Sequence, residues 1–343
     1  MKNKKNLSVF LSALLVFCLV VPLLAFAATD LPESKNEIGA IYDNGNNDDD
    51  VINCLERQME RLKDLIDGTV IMPFGSDITP PSVNIVLPPE GDREYFIIGT
   101  DGPATQECIN FILSYTGISH ENAFIAQGIG RRNVLQYGQT VTPYRQVHEY
   151  EAIEPHTTTL FMGEMITIAG VSSFTLGHPT SNFGTYFATS PHTTAALNRQ
   201  VFLGLHEAPN RLLGTVSRAY FMSARDVAIV RITTANRVST SFPWGGSIAN
   251  FRGTAAVDDS TMSIRGVSGT RSSRVTSTVA TGRFFGDPFS FAGKIATLGG
   301  AMDGDSGSAL IRTRDNAVLG TLNGTYSIGG ITVTIYTPAL RYQ

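Results

Sequence analysis

From about Thr157 onward the chain loses helical periodicity and breaks into short apolar runs, each closed by Gly, Ser, Thr or Asn. Met165-Ile166-Thr167-Ile168, Thr185-Tyr186-Phe187-Ala188, Val227-Ala228-Ile229-Val230 and Ile331-Thr332-Val333-Thr334-Ile335 are examples. About a dozen such runs fit into 157–343, a density that points to a β-sandwich or a pair of barrels. Composition agrees: only 16% of residues are charged, and there are 33 glycines. Few charges and abundant small residues favour short strands and tight turns over long helices.

The first 150 residues read differently. Lys2, Lys4 and Lys5 precede an apolar run from Leu7 to Ala27 that closes on Ala25-Phe26-Ala27. A basic start, an apolar core and a small-x-small end make residues 1–27 a cleaved signal peptide, with a retained anchor as the alternative. Either way, the remainder is expected outside the cytoplasm, secreted once the signal is cut. Residues 28–50, ending in Asn44-Gly45-Asn46-Asn47-Asp48-Asp49-Asp50, have nothing to bury and are expected to form a flexible linker. The alternating ligands of a calcium loop are missing there. Val51 to Asp67 has amphipathic helical spacing and stops at Gly68. A strand over Tyr95–Ile98, a helix over Thr105–Tyr115 and a strand over Ala123–Ala126 complete a small α/β region at 51–150, ahead of an all-β domain at 157–343.

The net charge of −4 becomes more negative without the leader lysines, which argues against nucleic acid and anionic membranes as partners. Cys54 and Cys108 are the only cysteines beyond the signal and leave a single disulfide open. No cysteine follows residue 108, so thiol chemistry and thiolate metal sites are excluded from the C-terminal domain.

Gly304-Asp305-Ser306-Gly307-Ser308 carries the strongest chemical signal. A nucleophilic serine needs an exposed hydroxyl on a tight turn, with its own N–H and that of the residue two earlier aimed at one developing oxyanion. Glycines at 304 and 307 permit the close backbone approach this requires. Read without chemistry, the segment is a Gly-Ser turn between strands.

This motif resembles that of the chymotrypsin-like serine proteases, in particular the secreted bacterial branch typified by α-lytic protease. The resemblance implies a double six-stranded antiparallel β-barrel and a His, Asp, Ser order along the chain. Asp226, at the entrance to Val227–Val230, matches the family's Asp before an apolar strand. Two histidines compete for the remaining role. His178 follows Ser173-Phe174-Thr175-Leu176-Gly177, and His192 follows Gly184-Thr185-Tyr186-Phe187-Ala188-Thr189-Ser190-Pro191. His192 is favoured, because the two segments then fill the two strand slots that precede the family's histidine. His178 in that case is a strand residue facing solvent or a pocket wall.

The resemblance implies His192, Asp226 and Ser306 as catalytic residues, Gly304 and Ser306 as oxyanion donors, and no cofactor or metal. It places Asn323 where many members carry a groove-lining serine, and Gly300 where trypsin-like members keep an acid, which weighs against Arg or Lys specificity. Met302 and Asp303 are expected near the same pocket. The α/β region occupies the place of a propeptide that assists folding or blocks the cleft, with a targeting module as the alternative. Ser190-Pro191, Thr193 and Asn323 depart from the family pattern. Ser190-Pro191 and Asn323 keep open a catalytically silent homologue acting as a binding module, beside the expected peptide-cleaving enzyme; an esterase, which the same triad could run, is a third reading.

Overall fold

The computed structural model describes residues 48–70, 81–135, 139, 141–144, 159–222 and 224–342. The expected signal peptide and nearly all of the expected linker lie outside the described residues. Helix α1 begins at Asp48 rather than Val51 and ends at Asp67. Strands β1 (Val83–Leu87) and β2 (Phe96–Thr100) are antiparallel. Helix α2 (Gln106–Thr116) then crosses to β3 (Ala123–Arg132), which lies parallel to β2. The Thr105 hydroxyl accepts from the Cys108 N–H at the start of α2, and Gly117, at φ 72°, closes it in the left-handed conformation that favours glycine. Leu62, Leu65 and Ile66 of α1 bury against Val86, Ile98 and Ile112. Cys54 is exposed, Cys108 is buried, and the two are not bridged.

The main β region follows. A short parallel pair joins β4 (Thr159–Leu160) to β11 (Arg237–Val238). Between them come β5 (Met165–Ile168), β6 (Ser172–Thr175), β7 (Tyr186–Thr189), β8 (Gln200–Leu203), β9 (Leu212–Met222) and β10 (Arg225–Ile232). These six form one antiparallel sheet in the order β6-β5-β8-β9-β10-β7. The Gly177 N–H donates to the Ala188 carbonyl, and the Ala188 N–H to the His178 carbonyl, so the chain just past β6 meets β7 and closes the barrel.

A second set comprises β12 (Ser260–Ile264), β13 (Thr270–Gly282), β14 (Phe291–Leu298), β15 (Ala309–Arg312), β16 (Ala317–Ile328) and β17 (Ile331–Pro338). Its strands run β16-β15-β12-β13-β14-β17, and pairing of β16 with β17 closes this barrel too. The all-β double six-stranded barrel expected from the sequence is therefore present.

The continuous apolar run of β10 has a physical reason. Ala228, Val230 and Ile232 face the first barrel's core with Phe174 and Phe187, while Val227 and Ile229 pack outward beneath Tyr220 and Tyr342. A strand covered on both faces has no need of polar alternation. Burying each such aromatic or branched side chain contributes about 1.5–3 kcal/mol.

The α/β region does not form a sheet of its own. β1 pairs with β13, and β3 pairs with β16, so its strands extend the second barrel into a nine-stranded sheet. Among the described residues, those from Ile52 onward form one compact unit. The strand expected over Ala123–Ala126 runs six residues further, to Arg132, and those added residues enter the site described next.

Candidate active site

Ser306 sits on the turn entering β15. The Ser306 carbonyl accepts from Thr175 N–H at 2.8 Å, and the Gly304 carbonyl accepts from the Thr175 hydroxyl at 2.8 Å. Gly307 has φ 96°, and a Cβ there would lie 2.3 Å from the Thr189 hydroxyl and 2.4 Å from the Thr175 carbonyl. Only glycine fits between the barrels at this point.

Asp305 points the other way and is fully buried. Its carboxylate accepts from Met302 N–H at 2.9 Å, Val267 N–H at 2.9 Å, Ser268 N–H at 3.0 Å and the Ser268 hydroxyl at 2.5 Å. No cation pairs with it among the described residues. Backbone donors satisfy the charge instead, and they hold the turn in shape.

The Ser306 hydroxyl oxygen lies 2.7 Å from His192 Nε2, and His192 Nδ1 lies 2.6 Å from Asp226 Oδ2. The structure thus brings together the three residues expected from the sequence, with His192 and not His178 between the other two. His192 has φ 56°, a left-handed conformation that costs a non-glycine residue on the order of 1–3 kcal/mol. Its N–H donates to Asp226 Oδ1 at 3.2 Å, so the aspartate grips both backbone and ring and holds that conformation. Pro191 before it gives up an N–H that this arrangement does not use.

His178 lies just past the end of β6 and does not face solvent; it lines the wall of a pocket with Tyr186, Ile229 and Tyr342, one of the two expected readings. It is buried, with Nδ1 2.9 Å from the Pro179 carbonyl and its ring stacked on Tyr342 at 5.4 Å. Burial pushes its pKa down to about 4, so it is neutral at ordinary pH.

Asn323 corrects the expectation that it lines the substrate groove. Its side chain is buried beneath the site, where Nδ2 donates to the Asp226 carbonyl and the Ser190 hydroxyl, each at 2.9 Å. Its Oδ1 accepts from the Thr337 hydroxyl at 2.8 Å and from Lys294 Nζ at 3.2 Å. Ser190 in turn donates to the Asp226 carbonyl at 3.1 Å. The departures Ser190 and Asn323 are therefore partners of each other in one polar floor under Asp226. What faces Ser306 from Asn323 is its backbone carbonyl, at 3.3 Å.

Four functional residues were not legible in the sequence: Arg132, Asn133, Asp287 and Lys294. Arg132, from the end of β3, pairs with Asp226 and with Asp287, and its Nη1 lies 3.1 Å from His192 Nδ1. Burial opposes the Asp226 charge, but Arg132 and His192 outweigh it and hold the carboxyl well below the usual carboxylate range. For His192 burial dominates and lowers the pKa; Asp226 raises it and Arg132 lowers it further. Lys294 is pushed down to about 7 by burial, against the pull of Asp226.

Asn133 supplies the deciding contact. Its backbone carbonyl accepts from Gly304 N–H at 2.9 Å and from Ser306 N–H at 3.4 Å. The two donors expected to hold an oxyanion converge on one oxygen atom, and that oxygen belongs to the chain itself.

No family model matches this chain, and no curated protein does. Among solved structures, it is similar to Thermobifida fusca protease A at 22% identity, over 53% of this chain and 92% of that one, with a TM-score of 0.42. Cellulomonas bogoriensis chymotrypsin gives 20% identity, 53% and 92% coverage and a TM-score of 0.42. The α-lytic protease homologue N4 gives 18%, 53% and 94%, and 0.41. These are likenesses to bacterial serine proteases of distant sequence.

Gly300, Met302 and Asp303 lie between the end of β14 and Ser306. The Gly300 carbonyl accepts from the buried Arg265, and Met302 is half exposed. Asp303 meets Arg131 at 3.9 Å on the surface. Ala301 and Thr325, which carry no local signal in the sequence, make polar contacts with the Asn133 side chain.

Proposed function

We propose that the protein is a secreted serine endopeptidase that cleaves polypeptides through an acyl-enzyme. The observation that carries this reading is the hydrogen-bonded series Ser306–His192–Asp226, with the Gly304 and Ser306 N–H groups trained on a single carbonyl oxygen.

In this mechanism Ser306 Oγ attacks the substrate carbonyl while His192 Nε2 takes its proton and passes it to the leaving amine. Water then attacks the acyl-enzyme with the same base. Asp226 keeps Nδ1 protonated and stabilises the imidazolium. The two N–H groups stabilise the oxyanion, each such donor being worth about 3 kcal/mol. No step asks for a metal or cofactor. The α/β region acts as a propeptide that blocks the cleft, a role supported by the Asn133 carbonyl lying between the oxyanion donors.

Labelling of secreted, processed protein with a fluorophosphonate tests the reading. Labelling at Ser306 that disappears in His192→Ala and persists in His178→Ala is expected. Absence of labelling and of peptide hydrolysis in processed wild type would instead make the fold a silent binding module.

A further inference from the structure

The chain between Gly128 and Leu135 crosses the site as an extended strand. Its residues pair antiparallel with β16 in the register Arg132 to Gly324, Arg131 to Thr325 and Gly130 to Tyr326. Beyond the site, Leu135 bridges Ser173 of β6. One strand thus touches both barrels, and the Asn133 carbonyl lies at the junction, held by the Gly304 and Ser306 N–H groups.

Two glycines permit this approach. A Cβ on Gly130 would fall 2.1 Å from the Tyr326 ring, and one on Gly324 would fall 2.5 Å from the Arg131 carbonyl.

The side chains on the N-terminal side of that carbonyl are held in dedicated pockets. Asn133 is 0% exposed. Its Nδ2 donates to the Ala301 carbonyl at 2.9 Å, and its Oδ1 accepts from the Thr325 hydroxyl at 2.8 Å. The Ala301 N–H donates to that same hydroxyl at 3.2 Å, which leaves the Thr325 proton for Asn133. The pocket therefore presents one acceptor and one donor in fixed order, which is the complement of a carboxamide. An aspartate would set an oxygen against the Ala301 carbonyl, and a leucine would leave both groups unpaired. Arg132 occupies the adjoining pocket. It forms ion pairs with Asp287 and Asp226, and its guanidinium lies 4.4 Å from the centre of the Phe284 ring and 5.1 Å from that of Phe221. Acid and aromatic faces together suit arginine better than lysine.

We infer that the Asn133–Val134 bond is the protein's own first substrate, and that the pockets which hold it make the released enzyme selective for Arg-Asn ahead of the cleaved bond. The inference rests on the proposed serine-protease mechanism and adds to it a scissile bond and a sequence preference. Ser306 Oγ bonds to the Asn133 carbonyl carbon, the bond to the Val134 nitrogen breaks, and His192 delivers the serine proton to that nitrogen. Water releases Asn133 as a carboxylate and restores the Ser306 hydroxyl. The boundary between the two products then lies at 133/134, ahead of the boundary near 150 expected from the sequence.

The test has two arms, both using the full chain. Purified wild type and Ser306→Ala are incubated, and their products are read by mass spectrometry and N-terminal sequencing. A new N-terminus at Val134 in wild type only, forming at a rate independent of protein concentration, is the expected result. Processed wild type is then given peptides that differ only in the two residues before Val: Arg-Asn, Arg-Asp, Arg-Gln, Arg-Leu and Ala-Asn. The Arg-Asn peptide is expected to exceed the Asp and Leu peptides in kcat/KM by at least about 100-fold, because those side chains leave the two buried polar groups of the pocket unpaired or opposed. Active enzyme whose N-terminus lies elsewhere, or which cleaves Arg-Leu as fast as Arg-Asn, overturns the inference and leaves the protease reading standing. Protein that neither processes itself nor hydrolyses any peptide overturns both. The peptide arm needs no variant of the strand, so a misfolding substitution at Asn133 does not blunt it.

Discussion

Arg132 and His192 compete for one carboxylate: the guanidinium pairs with Asp226, whose Oδ2 also lies 2.6 Å from His192 Nδ1. The positive charge of Arg132 lowers the proton affinity of His192, on top of the larger effect of burial. A base must be unprotonated to act, so activity rises with pH through the histidine's pKa. With arginine in the adjoining pocket that rise falls at lower pH than without it. The acid limb of kcat is therefore expected at lower pH for an Arg-Asn peptide than for an Ala-Asn peptide. The limb of kcat/KM, which reports the free enzyme, is expected to coincide for the two. Full pH profiles on both peptides check this, and coincident kcat limbs would refute it.

Replacement of Ser306 or His192 by alanine is expected to lower kcat on the order of 10⁶-fold, and of Asp226 by asparagine about 10⁴-fold. His178→Phe should leave turnover per folded molecule unchanged, because His178 stacks on Tyr342 away from Ser306. Steady-state kinetics normalised to folded protein separate the two histidines.

Asp305 accepts three backbone N–H groups and one hydroxyl in the interior. Asp305→Ala removes every one of these acceptors, at about 1–3 kcal/mol for each group left unpaired. A loss of several kcal/mol in denaturant unfolding is expected. With it should come a fall in kcat of at least about 10²-fold, as the oxyanion donors lose their support. Normal kcat in a folded variant would show that the turn keeps its shape by other means.

Lys294 has a folded pKa of about 7 against its ordinary 10.5. Between those values the unfolded chain binds more protons than the native one, so stability rises as pH increases from about 7 to 10.5. Below about pH 7 the lysine is charged in both states, and that gain is absent. Lys294→Met is expected to flatten this part of the stability–pH curve, as measured by urea midpoints across the range. An unchanged slope would place the neutralisation elsewhere.

Much of the fold was legible. Helical spacing marked α1 and α2 to within a few residues, and the change of pattern near Thr157 marked the β region, because burial on one face or both leaves its period in the chain. Ser306 and Asp226 were legible through local motifs. His192 was legible only through the two strand slots that precede it. The end of β3 was missed, since Gly128 and Gly130 interrupt the apolar run that ends at Ala126 and stand there for close approach to β2 and β16.

By itself, the order of residues determined which segments alternate, which turn, and which serine stands between glycines at a strand entrance. Those are local properties, carried by neighbours in the chain. Only the tertiary structure decided that Arg132 and Asn133 enter a site built by residues 192, 226 and 306, and that Asn323 and Ser190 support Asp226 from below. Such contacts depend on the pairing register of distant strands, and a register is set by the packing of whole barrels, which no single segment records.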